Sequence, residues 1–349
     1  MLISPLDWGL GHATRCIPII KELLINDCEV LIAASGVQAV LLKEEFPGLI
    51  FLDIKGYDIT YSRNKKWLPF KLFGQVPGIF STIRYEHRWL IKTIQEYKID
   101  VVISDNRFGL YHSSVHCIYI THQLQIKTGN RITDWLAQQL HYHYINKYTR
   151  CWVPDVEGGQ DLAGELSHPK KLPSTPVQYI GPLSRFEIDK EEIKYPFLVL
   201  ISGPEPQRTI FEEMVLEQLQ NHKAPVLFVR GLPGNAPGLY NSNPVIEIHN
   251  HLSSSLLNKA ILQSEIIICR SGYTTVMDLV KLNKKAVFVP TPGQKEQEYL
   301  AFYLAQQKIF YCQLQNKFEI AAILKSVKSF PFKKIEINTS DYKRFFKAI

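Results

Sequence analysis

Residues 266–301 read IIICRSGYTTVMDLVKLNKKAVFVPTPGQKEQEYLA, and this stretch decides the fold. It holds one local pattern twice. Ile266–Cys269 is an unbroken apolar run, Arg270-Ser271-Gly272 interrupts it, and Thr274 or Thr275 stands where a helix cap belongs, with Asp278 one turn further on. Ala286–Pro290 is a second apolar run, followed by a Pro/Gly loop and a helix-like stretch from Lys295. Apolar runs without polar alternation are strands covered on both faces. Strands that alternate with helices build a parallel sheet with crossover helices.

The same rhythm runs outward through the chain. Earlier apolar runs are Leu2–Ser4, Glu29–Ser35, Leu49–Ile54, Asp100–Ser104, Cys117–Thr121, Cys151–Pro154, Phe197–Ser202 and Pro225–Arg230. A length of 349 residues suits two domains. The charged segment from Gly181 to Pro196, with a proline near each end, precedes a fresh strand and marks the break. The domains are therefore expected at 1–182 and 183–338, with a basic terminal helix at 339–349. The expected class is α/β, with two facing Rossmann-like domains and a cleft between them, because open parallel sheets bind ligands beyond the carboxyl ends of their strands.

Composition narrows the function. Apolar residues are 46% and charged residues 21%, an ordinary globular balance. A net charge of +7 suits an acidic small molecule or an anionic membrane surface. Nucleic acid is disfavoured, since zinc-finger spacing, an RRM-type aromatic motif and an arginine-rich arm are all missing. The six cysteines are scattered without CxxC pairs and read as free thiols in a reducing compartment. With neither a signal-peptide pattern nor an apolar stretch of membrane-spanning length, a cytoplasmic protein is expected.

Residues that follow strands carry the chemistry. Trp8-Gly9-Leu10-Gly11-His12-Ala13-Thr14-Arg15 follows the first run. Two glycines allow close ligand approach, and a helix start offers N–H groups. Against a plain strand-to-helix turn stands His12, a histidine at a helix start in the expected cleft. Ser202-Gly203-Pro204-Glu205-Pro206-Gln207-Arg208 is a second loop of this kind. Thr209 and Glu212 have capping-box spacing, so a helix is expected from there, with Arg208 adding charge for a diphosphate. Alone, this loop reads equally as a connector. Asp278 is placed to accept bonds from ribose hydroxyls. Glu296 and Glu298 suit sugar hydroxyls, or simply a solvated helix start. Asp105 and His122 close strands and are candidates to orient His12. His249 and His251 lack a third ligand and read as structural. A DxD motif is absent from the sequence, which points away from a metal-bound diphosphate.

CRSGYTTVMDLV with VPTPGQKEQEYLA resembles the donor-binding region of GT-B glycosyltransferases, nearest to the family of the N-acetylglucosaminyltransferase of lipid-linked peptidoglycan synthesis. GLGHATR resembles that family's N-terminal glycine-rich loop. The resemblance implies that Asp278 binds ribose, in place of the usual Glu. It implies that Arg270, Ser271 and Gly272 form the family's RxG turn, with Thr274 beside them. Glu296 and Gln297 fall at paired donor-sugar positions that are two glutamines in relatives. Ser202 and Gly203 fall in the diphosphate loop, and His12 at the loop histidine.

The expected activity is metal-independent, inverting transfer of an N-acetylhexosamine or hexose from a UDP-sugar to an acceptor hydroxyl, with His12 as base aided by Asp105. UDP-sugar is a co-substrate, and no further cofactor is expected. The alternatives are a UDP-sugar 2-epimerase of the same fold and a non-catalytic nucleotide-sugar-binding protein. Lys55 to Lys98 holds nine Lys/Arg against three Asp/Glu, interleaved with Trp67, Phe70, Phe73, Phe80 and Trp89. This segment suits either an anionic membrane surface, where a lipid-linked acceptor is collected, or an ordinary amphipathic helix pair.

Overall fold

The computed structural model describes residues 1–57, 68–234, 236–239 and 242–346, with the backbone alone for 68–73. The chain forms two compact units. One contains the N-terminal residues to Ser184 and takes back the C-terminal residues from Ile337; the other contains Arg185–Glu336.

The first unit carries strands β1 (Leu2–Pro5), β2 (Leu31–Ala33), β3 (Ile50–Leu52), β4 (Val101–Asp105), β5 (His116–Ile120), β6 (Arg150–Val153) and β7 (Val177–Tyr179). Helices α1 (Leu10–Ile25), α2 (Gly36–Glu45), α3 (Leu68–Tyr97) and α4 (Arg131–Ile145) connect them. All strand pairs are parallel, in the order β3-β2-β1-β4-β5-β6-β7. The order reverses between β1 and β4, which makes this pair the topological switch point. Register aligns Pro5 with Asp105, and the Leu6 amide donates to the Asp105 carbonyl, so the loops leaving the two strands start side by side. Leu2, Val102, Cys117, Tyr119 and Cys151 fill the core beneath them.

The second unit carries β8 (Tyr195–Leu200), β9 (Val226–Val229), β10 (Ile246–His249), β11 (Ser264–Cys269), β12 (Lys285–Phe288) and β13 (Tyr311–Cys312). Its helices are α5 (Gln207–Leu219), α6 (Ser254–Leu262), α7 (Tyr273–Lys281), α8 (Lys295–Gln306) and α9 (Ile320–Ser329). The sheet is again parallel, ordered β10-β9-β8-β11-β12-β13, and switches between β8 and β11. Phe197, Phe228, Ile268 and Val287 lie in its core. A short final helix, α10 (Lys343–Phe346), belongs to the first unit, where Phe346 meets Trp152 at 5.3 Å between ring centroids.

Each apolar run quoted above forms a strand, within a few residues of its expected ends. Strands β7, β10 and β13 appear in addition. Two helix starts differ from expectation. Helix α5 begins at Gln207 rather than after Thr209; the Thr209 hydroxyl donates to Glu205 instead, so the capping box does not form. Helix α7 begins at Tyr273 behind Gly272, which puts Thr274 inside the first turn rather than at the cap. All six cysteines are free; Cys16, Cys117, Cys151 and Cys269 are buried.

Candidate functional site

At the switch point of the first sheet, β1 ends and Gly9 turns the chain at φ 114°, a left-handed conformation that a side chain strains. Helix α1 starts immediately, and His12 occupies its first turn. The neighbouring β4 delivers Asp105, whose carboxylate is fully buried. His12 Nδ1 lies 3.1 Å from Asp105 Oδ1. One turn along α1, Arg15 is buried and forks onto the same carboxylate, with Nε 2.5 Å from Oδ2 and Nη2 on Oδ1. Its Nη1 is 3.2 Å from His122 Nδ1 and its Nη2 is 2.9 Å from His12 Nδ1.

Two donors thus converge on Asp105 Oδ1. An ionised carboxylate is a stronger acceptor than an imidazole nitrogen, so the protons of Arg15 and of His12 Nδ1 both go to it. His12 Nε2 then keeps its lone pair, and it has no partner among the described residues. The His12 side chain is 17% exposed. Burial lowers the His12 pKa, Asp105 pulls it back up and Arg15 pushes it down; the net position is below the ordinary histidine value. For Asp105, burial alone would raise the pKa, but Arg15 and His12 bring it down to about 2. The pair therefore stands at neutral pH as a carboxylate and a neutral imidazole.

A second buried network braces this loop. Glu86 of α3 accepts from Arg107 Nη1 (2.7 Å), the Tyr57 hydroxyl (2.7 Å) and the Gly109 amide (2.8 Å). Arg107 Nε reaches back to the Pro5 carbonyl at the end of β1, and Asp7 holds the Tyr57 amide. A Cβ on Gly109 would stand 2.3 Å from the Ile83 carbonyl and 2.5 Å from Glu86, so no side chain fits there.

The expected donor residues of the second unit gather where β8, β11 and β12 end. Gly203 follows β8 at φ 109°, and the position of its missing Cβ is 3.7 Å from Thr291 Oγ1. Arg270, at the end of β11, is buried. It donates to the carbonyls of Val289, Pro290 and Gln207 and lies over the Phe211 ring at 4.2 Å, so one guanidinium ties together the three loops. Burial lowers its pKa to about 9, and its Nε has no partner among the described residues. Ser271 Oγ donates to the Gln297 carbonyl, and Gln297 Oε1 accepts from the Thr291 amide. The N-cap of α7 is Gly272, which brings no side chain of its own, and the space beside it is open. Thr274 and Glu296 are half-buried; Asp278 is buried in the second turn of α7.

Arg208, expected to add charge for a diphosphate, bonds mainly within the unit. Its Nε bonds Glu205, its Nη1 bonds Glu212 and the Arg230 carbonyl, and its Nη2 bonds Thr209. With four of its five N–H donors used inside the unit, it braces α5 against β9. His249 pairs with Glu247 at 2.7 Å. Asp155, Asp161 and His168 bring ligand atoms within 4.8 Å of one another. Asp155 already accepts from three backbone amides and the Ser167 hydroxyl, and both ring nitrogens of His168 are bonded, so the cluster shapes a turn. Sequence reasoning assigned no role to Arg15 or Thr291. Arg15 lies in the quoted loop motif, three residues after His12 on the same helix face, and that spacing was the available signal.

Solved structures share this architecture across the whole chain. The glycosyltransferase of kitacinnamycin aligns over 99% of this chain and 94% of its own, with TM-score 0.63 and 14% identity. MurG of Acinetobacter baumannii aligns over 100% and 99%, with TM-score 0.54 and 15% identity. The fold is GT-B. Within it, residues 239–347 match the model of the glycosyltransferase family 28 C-terminal domain. An uncharacterized glycosyltransferase of Methanosarcina acetivorans is 24% identical over 83% of this chain and 79% of its own length. The UDP-N-acetylglucosamine–N-acetylmuramyl-(pentapeptide) pyrophosphoryl-undecaprenol N-acetylglucosamine transferase of Acinetobacter baumannii is 22% identical over 81% and 75%.

Proposed function

We propose that the protein moves a sugar from a UDP-sugar to an acceptor hydroxyl by a single inverting displacement, with the donor held by the second unit and the proton removed by the first. The observation that carries this reading is the His12–Asp105 pair: a neutral imidazole whose Nδ1 proton is fixed by a buried carboxylate and whose Nε2 is unoccupied. As the bond from the sugar to the diphosphate breaks, the acceptor oxygen bonds the anomeric carbon and passes its proton to Nε2. The imidazolium that forms is stabilised by Asp105.

The loops after β8 and β11 suit the leaving diphosphate. Gly203 and Gly272 leave room for close approach, the start of α7 lies behind Gly272, and the buried Arg270 charge stands beneath. Asp278 is assigned to the ribose, and Glu296 and Gln297 to the sugar. Relatives are named as transferases, which sets the epimerase reading aside. The experiment is a calorimetric screen of nucleotide sugars, followed by acceptor trials with the tightest binder. Failure of every UDP-sugar to bind would remove the donor assignment.

A lipid-linked acceptor met at a membrane surface belongs to the same proposal, supported by the lipid-linked acceptor in the name of the Acinetobacter relative. Only part of the basic aromatic segment lies within the described residues. Phe80 and Trp89 pack against the core of the first unit, and Trp67 with the side chains of Phe70 and Phe73 lies outside the described residues. A better candidate is α4, where Ile132, Trp135, Leu136 and Leu140 form an exposed stripe at helical spacing. No helix of the described chain is long and apolar enough to cross a membrane. Sedimentation with anionic liposomes tests this, with Trp135→Ser expected to weaken recovery; equal recovery of both proteins refutes the α4 assignment.

A further inference from the structure

A single guanidinium contacts all three titratable partners of the proposed base site. Arg15 is 2% exposed, forks onto Asp105, and reaches both His12 Nδ1 (2.9 Å) and His122 Nδ1 (3.2 Å). We propose that Arg15 is a positioning residue for the transfer step: its fork fixes the plane of the Asp105 carboxylate, and its charge keeps the adjacent imidazole deprotonated. The proposal rests on the reading of His12 as the base.

The argument is one of opposing fields. A buried carboxylate alone raises the pKa of a bonded histidine and fills its second nitrogen with a proton, which disables it as a base. Guanidinium remains charged at all working pH values and disfavours a second positive charge beside it. The groups acting on His12 are Arg15 on α1, Asp105 at the end of β4 and His122 beyond β5; Cys16 on α1 donates to Asp105, and Tyr119 on β5 lies near Asp105 and Arg15. Burial pushes the Cys16 thiol and the Tyr119 hydroxyl well above their usual values, so both are neutral, and Arg15 is the permanent cation of the set. The fork adds direction. With Nε on Oδ2 and Nη2 on Oδ1, the carboxylate has one orientation, and its Oδ1 is the atom that meets His12. No bond is made or broken at Arg15 itself; the proton passes only from acceptor oxygen to His12 Nε2.

Three measurements test this. In the wild-type protein without substrates, an NMR titration of His12 should place its protonation below the ordinary histidine range; a value at or above that range overturns the proposal, whatever the variants do. Arg15→Gln removes charge and fork. Proton uptake by the His12–Asp105 pair should then move to higher pH by about one unit or more, and the acid limb of kcat/KM should move with it, while the donor KM is unchanged. Arg15→Lys keeps charge and loses the fork, so the limb should stay within about half a unit of wild type while kcat falls. An Arg15→Gln titration identical to wild type, or an Arg15→Lys limb displaced as far as that of Arg15→Gln, refutes the proposal. If instead the titrations follow expectation but His12→Ala keeps full turnover, Arg15 has the effect described and the base assignment is what fails.

Discussion

Replacing Asp105 by Asn keeps the shape of the side chain and deletes its charge. Arg15 then holds a buried guanidinium without a counterion, and breaking a buried pair by removing one partner typically costs about 3–5 kcal/mol. The loss should depend on pH in a defined direction. Asp105 has its pKa lowered from 3.8 to about 2, so its ionisation stabilises the fold above pH 4, and this contribution disappears as pH falls from about 4 to about 2. At 1.36 kcal/mol per unit, the full contribution is about 2 kcal/mol. The gap between wild type and Asp105→Asn should therefore be largest at pH 7, narrower by about 1 kcal/mol at pH 3 and by about 2 kcal/mol at pH 2. Urea unfolding followed by tryptophan fluorescence measures it in the right unit, because the described tryptophans, Trp8, Trp89, Trp135 and Trp152, all lie in the first unit. A gap below 1 kcal/mol at pH 7, or one that stays constant between pH 7 and pH 3, would refute the buried-pair reasoning.

His12→Ala should lose on the order of 100- to 10,000-fold in turnover while binding UDP-sugar normally, and His12→Asn should do little better because it cannot take the proton. Wild-type turnover in His12→Ala, measured by UDP release, would make His12 structural. Asp278→Ala should weaken UDP by about 1–3 kcal/mol in calorimetry; unchanged affinity in the folded variant removes it from the donor site. Activity should survive EDTA, and a complete loss restored by manganese or magnesium would place a metal on the diphosphate. Gly109→Ala should destabilise the first unit by about 1–3 kcal/mol or more, since its Cβ meets backbone and Glu86, and an unchanged urea midpoint would contradict that geometry.

Most of the architecture was legible because buried parallel strands announce themselves as apolar runs. The missed strands are those that lack this mark. β7 and β13 are edge strands of three and two residues, and β10 is an edge strand that alternates Ile246, Glu247, Ile248 and His249. Helix starts were misread where a local bond competed: Thr209 fits a capping box, but Glu205 lies within its reach and the helix begins earlier. His12 and Asp105 were each visible as polar residues after strands. Their meeting was not, because it depends on β1 lying beside β4 across more than ninety residues, and strand order is a property of the whole sheet. Arg15 was hidden for the same reason. On a helical wheel it is a charge among Cys16, Ile19 and Ile20, and only the arrival of Asp105 explains its burial.

The return of the chain's last residues to the first unit gives the second unit the topology of an insertion. At both Arg185 and Glu336 the chain continues into residues of the first unit. Helix α10 packs with α1, Lys343 approaches Glu22 at 3.8 Å, and Phe345 and Phe346 cover Trp152. A clip that removed the residues beyond 337 would thus leave residues 185–336 covalently whole. It would instead strip cover from the helix that presents His12, more than three hundred residues upstream. Trimming the tail therefore acts on the proton-removing half, through loss of support behind α1.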